Sequence, residues 1–555
     1  NLYFYISNLD FFVFTSILLS ITFYGIYKNY QNKNLKSYIL GDKSLSWSTI
    51  GLSVMATQAS AITFISTPGQ GYSEGMSFIQ NYFGMPLALI IVSIFFIPRY
   101  YGSKVYTAYQ YLEERFDLKV RTLTSFFFLL QRGFQSGITI YAPSIILTAI
   151  LGWDITPTVI FVGLLVILYT VLGGSRAVSY TQKYQMYVIL SGLIIAFYYI
   201  NSYILDQVTF SKSIDIIKMF DKNNAISFSF DPGEKYTIWT GLLGGFFLSL
   251  SYFGTDQSQV SRYINAKDKK ESRIGLMFNA ILKIPFQFFI LYIGILLFVF
   301  YSVYQPPVNF NNSLIDFQLK NNPELLESVQ EESKIIYDDK KELIMSSEMD
   351  KSMIITKDKE LVISRKQLED DALKSGFTYD RPETDFIFLH FILNYLPQGL
   401  IGLMIALILS AAMSSTSAEI SALSAITTID IYKRFVNKSK NAKNDVEMSK
   451  LFTLLWGLIS IIVALFFAQQ ENLIESINII ASLLYGNVLG IFLLAFFLKK
   501  IKSSNVFIGS IVSQITVFAM YFILGKSIGY LWFNLIGTGL TCLFSIIFYN
   551  IQIKR

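Results

Sequence analysis

Hydrophobic positions in this chain do not alternate with polar ones. They come as continuous runs of about twenty residues, parted by short polar stretches, from residue 8 to residue 550. A run of that length matches a helix crossing a hydrocarbon layer of about 30 Å. The lack of a two-residue alternation excludes a membrane β-barrel. Thirteen spans are predicted, at 8–27, 46–70, 77–101, 121–151, 155–172, 180–203, 236–264, 274–304, 397–430, 451–469, 473–498, 504–524 and 528–550. The class is an all-α polytopic membrane protein.

Two of these spans read as interrupted. The middle of span two is small and polar, with Thr57, Gln58, Ser60, Thr63 and Ser66 followed by Thr67-Pro68-Gly69. Span seven carries Gly244-Gly245 and then Gly254-Thr255-Asp256-Gln257. Backbone of this kind is tolerated in a bilayer only where it lines a cavity or is buried in protein. The bland alternative is that Gly and Ser permit close helix packing. Spans two and seven stand five apart and run in opposite directions, as two inverted five-helix repeats with two broken helices require. The division that follows is an extra span and loop at 1–45, a first repeat at 46–203, a loop at 204–235, and the second repeat at 236–304 and 397–500. Between the parts of the second repeat lies an excursion at 305–396, and two further spans occupy 501–555.

Composition narrows the function. Hydrophobic residues make up 53% and charged ones 15%, against about 25% charged in soluble proteins, so a soluble enzyme is excluded. One cysteine, Cys542, and one histidine, His390, cannot build a disulfide or a Cys/His metal centre. No phosphate-cradling G-x-x-x-x-G-K-[ST] run is present, which disfavours an ATP-driven pump. Basic residues gather after odd-numbered spans, as in Lys28/Lys33/Lys36/Lys43 and Lys433/Arg434/Lys438/Lys440. By the positive-inside rule the N-terminus is then outside and the C-terminus cytoplasmic; the membrane expected is the plasma (bacterial inner) membrane. The stretch 305–385 holds 18 acidic and 11 basic residues and falls outside as a helical or partly mobile excursion. Basic residues confined to short loops are not a nucleic-acid footprint. The first run, Leu9 to Tyr27, reads as an uncleaved span rather than a signal peptide.

The candidate chemistry is that of a cation and a small solute. In span nine, Ser414 and Ser415 follow Ala411 by three and four residues, so their hydroxyls and the Ala411 carbonyl share one helix face. Three neutral oxygens make half a cage for a hard monovalent cation. The carbonyls of Ala56 and Ala59, at the span-two break, are candidates for the rest. The alternative is that the serines back-bond within their own helix. Arg132 lies well inside span four, and an intramembrane arginine is a functional hypothesis by default; its planar fork suits a carboxylate. The alternative is that it pairs internally. Lys283 in span eight is a candidate partner for the intramembrane Asp256. His390 reads as interfacial packing.

The segments YFGTDQSQVSRY (Tyr252 to Tyr263), YTVLGGSRAVSYTQKYQ (Tyr169 to Gln185), SAITFISTPG (Ser60 to Gly69) and AAMSS, closing with DIYKRF (Asp430 to Phe435), resemble the sodium:solute symporter family. That family includes sodium–glucose, sodium–proline, sodium–monocarboxylate and sialic acid transporters. The resemblance implies the five-plus-five inverted-repeat fold of the amino-acid/sodium transporter type, sodium as the coupling ion, and solute import by alternating access. It places the sodium site on Ala56, Ala59, Ala411, Ser414 and Ser415. Where members with a second sodium have a carboxylate, this chain has Gln182, which implies that the second site is lost. Solute contacts are expected from Ser60, Thr63, Gln80, Tyr82, Arg132, Asp256, Lys283 and Asn478. Arginine use by the sialic acid transporters favours a carboxylate-bearing solute such as sialic acid or a monocarboxylate. The alternatives are a neutral sugar or polyol, or a solute sensor working through a separate signalling partner. The expected partners are sodium, the solute and the lipid bilayer, with a monomeric functional unit.

Overall fold

The computed structural model describes residues 7–29, 38, 45–103, 105–377, 382–436, 442–466, 473–524 and 527–553. Among them the regular structure is helical: α1 (Asn8–Asn29), α2 (Trp47–Gln58), α3 (Ala61–Glu74), α4 (Ser77–Ser103), α5 (Leu118–Leu151), α6 (Ile155–Gly174) and α7 (Val178–Gln207) come first. After them come α8 (Phe210–Met219), α9 (Gly245–Thr255), α10 (Gln257–Ile264) and α11 (Lys269–Val303). The excursion supplies α12 (Asn312–Asn321), α13 (Pro323–Met345), α14 (Lys351–Lys374) and α15 (Thr384–Tyr395). The chain ends in α16 (Leu400–Val436), α17 (Ala442–Phe466), α18 (Leu473–Phe497), α19 (Ser503–Leu524) and α20 (Trp532–Ile553).

Both expected breaks are present. Helices α2 and α3 meet at 64°. At the bend Ala59 takes φ −82°, ψ 68° and Ser60 φ −73°, ψ 167°. The Thr63 N–H then bonds the Ser60 carbonyl at 3.0 Å, which redirects it from the Ala59 oxygen. The second break falls on Asp256, which ends α9 and caps α10, its carboxylate accepting from the Ser258 N–H at 2.8 Å. The Gly-Gly of the YTVLGG segment parts α6 from α7: Gly174 has φ +57°, a conformation side chains rarely adopt.

The thirteen expected spans do not all pass as apolar membrane helices. Nine of the described helices are long and apolar enough, ten with α2–α3 taken as one bent span. The physical reason lies in what the others carry. Helix α5 buries Arg121, Arg132 and the amides of Gln131 and Gln135, and α9–α10 is split at Asp256. These polar groups are buried against protein rather than lipid, so the segments that carry them need not be uniformly apolar.

Helix α1, outside the repeats, is tied to α16 through one buried carboxylate. Asp10 Oδ1 accepts from the N–H groups of Gly399 and Gly402 at 2.6 and 2.8 Å, orphan donors at the start of α16. The backbones approach so closely there that a Cβ on Gly402 would stand 2.2 Å from the Asp10 carbonyl. Asp10→Ala is therefore expected to cost about 1–2 kcal/mol of stability, the scale of a lost N-cap. Asp10→Asn keeps an acceptor and should retain most of it. Melting temperatures of the two variants in detergent check this.

The excursion is a helical hairpin with a small core of its own, Leu314, Leu326, Val329, Leu368 and Ala372. It is pinned to the rest of the protein by Lys340, which pairs with Asp358 and lies 5.5 and 5.9 Å over the Phe220 and Phe298 rings. His390, on α15, packs as expected: its Nδ1 stands 2.7 Å from the Tyr301 hydroxyl, and burial pushes its pKa down to about 4, so it is neutral. The Asp430 of DIYKRF takes Arg121 Nε at 2.6 Å and the Thr107 hydroxyl at 2.9 Å, locking the far end of α16 onto α5.

Candidate functional site

A cavity of about 190 Å³ lies where the two breaks approach α4, α5, α11, α16 and α18. A cavity of about 150 Å³ suffices for a molecule the size of benzene, so a small organic solute fits. Ser60 and Thr63 from the first break line it, with Tyr82 from α4, Arg132 and Thr139 from α5, and Lys283 from α11. Ser415 and Glu419 from α16 and Asn478 and Tyr485 from α18 add to the polar lining, as do Gln58, Asn81, Gln135 and Ser249.

The five candidate sodium oxygens come from two elements in contact. Ser414 Oγ stands 3.3 Å from the Ala56 carbonyl oxygen across the α2–α16 contact. Ser415 Oγ donates to the Ala411 carbonyl at 3.1 Å and the Ala412 carbonyl at 3.2 Å. The break at Ala59–Ser60 frees carbonyls that an intact helix would use internally. Ala56, Ala59, Ala411 and Ser414 are fully buried, and Ser415 reaches the cavity. Beside them Gln182 ties three helices together: its amide oxygen accepts from Ser53 Oγ, and its NH2 donates to Thr57 Oγ1 at 3.0 Å and to the Ser414 carbonyl at 2.9 Å. Toward Thr57 and the Ser414 carbonyl the side chain thus presents donors, not acceptors.

The ionisable residues arrange themselves differently from one sequence expectation. Asp256 does not pair with Lys283. It pairs with Arg132, whose Nε lies 2.6 Å from Asp256 Oδ2. The other arms of the guanidinium reach Glu419 Oε1 and the Tyr485 hydroxyl, each at 2.7 Å. The fork expected to meet a solute carboxylate is thus engaged by two carboxylates of the protein itself. Lys283 is buried at the cavity with no hydrogen bond or ion pair to any described residue. Its ammonium sits over the Tyr82 and Phe286 rings at 5.3 and 5.6 Å, within cation–π range.

Two other expected contacts are not brought to the cavity. Gln80 is buried, donates to the Ser77 and Tyr236 carbonyls at 3.1 and 2.8 Å, and accepts from the Ser227 N–H at 2.9 Å. It holds the 204–235 loop onto α4. Asp256 reaches the cavity only through Arg132 and Tyr485, both bonded to its Oδ2, while Ser258 takes Oδ1. Glu419 and Tyr485 went unnoticed in the sequence. Glu419 carried a readable signal, an acid within the apolar run of span nine.

A buried cation, a buried ion-pair network and freed carbonyls around two broken membrane helices define a secondary transporter. Comparison with known proteins agrees. The sodium:solute symporter family model matches residues 38–315 and 377–513. A sodium/sialic acid symporter of Proteus mirabilis (strain HI4320) is 25% identical over 529 residues, 94% of this chain and 90% of the relative. The sodium-coupled monocarboxylate transporter 2 of Bos taurus is 29% identical over 279 residues, 49% of this chain and 44% of the relative. A solved structure of a Na+-coupled sialic acid symporter, substrate-bound and outward-open, superposes with a TM-score of 0.75 at 25% identity, covering 98% of this chain and 97% of that one. The chain belongs to the sodium:solute symporter family. It is an integral membrane protein that couples solute movement to Na+ and is not an enzyme.

Proposed function

We propose that the protein imports a small carboxylate-bearing solute, sialic acid or a monocarboxylate, together with one sodium ion by alternating access. The observation that carries the carboxylate is Lys283, a buried amine in the central cavity with no direct hydrogen bond or ion pair to any described residue. A buried charge left without a partner is costly, and a solute carboxylate relieves that cost while Ser60, Thr63, Tyr82 and Asn478 bind its polar body. Sodium binds the carbonyls of Ala56, Ala59 and Ala411 and the hydroxyls of Ser414 and Ser415. The Proteus mirabilis and bovine relatives, whose named solutes are carboxylates, support the same class. The basic loops support an N-terminus outside, a cytoplasmic C-terminus and a bacterial inner membrane.

A thermal-shift screen of sialic acids, monocarboxylates, amino acids and sugars, each in sodium and in potassium, tests this. A carboxylate should stabilise the protein more in sodium than in potassium, by about 2.7 kcal/mol in sodium at a hundredfold excess over Kd. Lys283→Met should abolish that response and Lys283→Arg keep part of it. Stabilisation by a neutral sugar alone, undiminished in Lys283→Met, would overturn the carboxylate.

The Gln182 amide motivates the ratio of one sodium. Its NH2 points at the Ser414 carbonyl, and a neutral dipole does not replace the carboxylate that a second sodium would need. Transport of a monoanion should then move no net charge. Monoanion uptake into vesicles should then be insensitive to membrane potential, and a measurable reversal potential that fits a ratio near two would show a second site.

A further inference from the structure

We propose that Glu419 is the residue that balances the charge of the sodium ion, and that it couples sodium to the solute through Arg132. The inference rests on the reading of the site as a sodium–anion symporter. Five neutral oxygens carry no formal charge, and a sodium ion placed among them in a low-dielectric interior needs a negative charge nearby. Glu419 stands four residues after Ser415, one helical turn along the same face of α16, and both line the same cavity. It is buried, 5% exposed, and its carboxylate is held at both oxygens: Oε1 by Arg132 at 2.7 Å and Oε2 by the Thr139 hydroxyl at 2.9 Å. The hydroxyls of Thr139 and Thr416 are in turn 3.1 Å apart, so α5 braces the acid on the helix that carries the sodium oxygens.

The charges then close around the cargo. The ionisable residues that line the cavity, or bond to one that does, are Arg132 and Lys283 against Asp256 and Glu419, a sum of zero among the described residues. Sodium alone leaves one positive charge in the cavity, and a monoanion alone leaves one negative charge. Both together restore zero, so each ion favours the other. Arg132 joins the two sides, because one guanidinium holds Glu419 beside the sodium oxygens and Asp256 at the second break. Sodium drawn toward Glu419 competes with Arg132 for that carboxylate, and this reaches the cavity wall at Asp256 and Tyr485.

The experiment uses the full chain in detergent at constant ionic strength, potassium replacing sodium. Thermal shift gives the half-saturating sodium concentration without solute, and the affinity for the best carboxylate without sodium. Glu419→Gln keeps the shape and the hydrogen-bonding oxygen but removes the charge. Sodium half-saturation should rise about tenfold, a Coulomb effect over one helical turn reduced by the nearby guanidinium. Anion affinity in potassium should rise or hold, and its enhancement by sodium should shrink. Opposite signs for the two ions are the signature of charge; a merely structural residue would weaken both. Equal weakening, or unchanged sodium half-saturation, overturns the proposal. Should Glu419→Gln fail to fold, Lys283→Met supplies the test, because it makes the cavity one charge more negative without breaking a bond. Sodium half-saturation should then fall severalfold, and an unchanged or higher value overturns the proposal. The sodium titrations need no solute, so absence of any stabilising anion would count against the solute reading and leave this test intact.

Discussion

Arg132→Ala is expected to leave little folded protein. The guanidinium pairs with Asp256 and Glu419 at 2.6 and 2.7 Å, and neither carboxylate has a second cation among the described residues. Asp256 would keep Ser258 and Tyr485, and Glu419 would keep Thr139, but neutral donors do not cancel a buried charge. Removing one partner of a buried pair costs about 3–5 kcal/mol, and here one substitution strips two acids of their partner. Set against a total stability of about 5–15 kcal/mol, the variant should lose most of its monodisperse peak in detergent and melt far below the parent. Arg132→Lys should lie between, since one ammonium cannot hold both acids with the geometry of a fork. The opposite outcome is equally clear: a variant that melts like the parent but no longer binds the solute would show that the guanidinium meets the solute directly.

The same residue shows where sequence reasoning stops. A lone arginine in an apolar run identifies itself, and so do Asp256 and Lys283. Which cation takes the acid depends on how α5, α11 and the second break face one another, and local spacing does not carry that. Gln80 failed for a related reason. A buried amide in an apolar run looks like a cavity residue, yet its partners Ser227 and Tyr236 lie 147 and 156 positions away. The breaks in spans two and seven were legible because proline, glycine and hydroxyls in a membrane run weaken a helix locally. The serine pair was legible because helical periodicity alone puts Ala411, Ser414 and Ser415 on one face. Asp10 was not: nothing near it in the chain announces that it caps a helix that begins 390 residues later.

That serine pair yields the other large effect. Replacing Ser414 and Ser415 together by alanine should raise the sodium concentration for half-maximal uptake on the order of a hundredfold. Each hydroxyl is one neutral ligand to a cation, and two hydrogen-bond-scale contacts of about 1–1.5 kcal/mol each amount to that factor. The fold should tolerate the change. Alanine favours a helix more than serine does, and the Ser415 hydroxyl bonds only carbonyls of its own helix, Ala411 and Ala412. Ser414 gives up a 3.3 Å contact to the Ala56 carbonyl across to α2, so Ser414→Ala alone should loosen the pairing of the broken span with α16 more than Ser415→Ala does. Solute affinity measured in potassium should barely move, because sodium is then absent from the comparison. Sodium titrations of uptake in reconstituted vesicles decide the matter: a double variant with the parent's sodium dependence would place the coupling ion elsewhere than at these five oxygens.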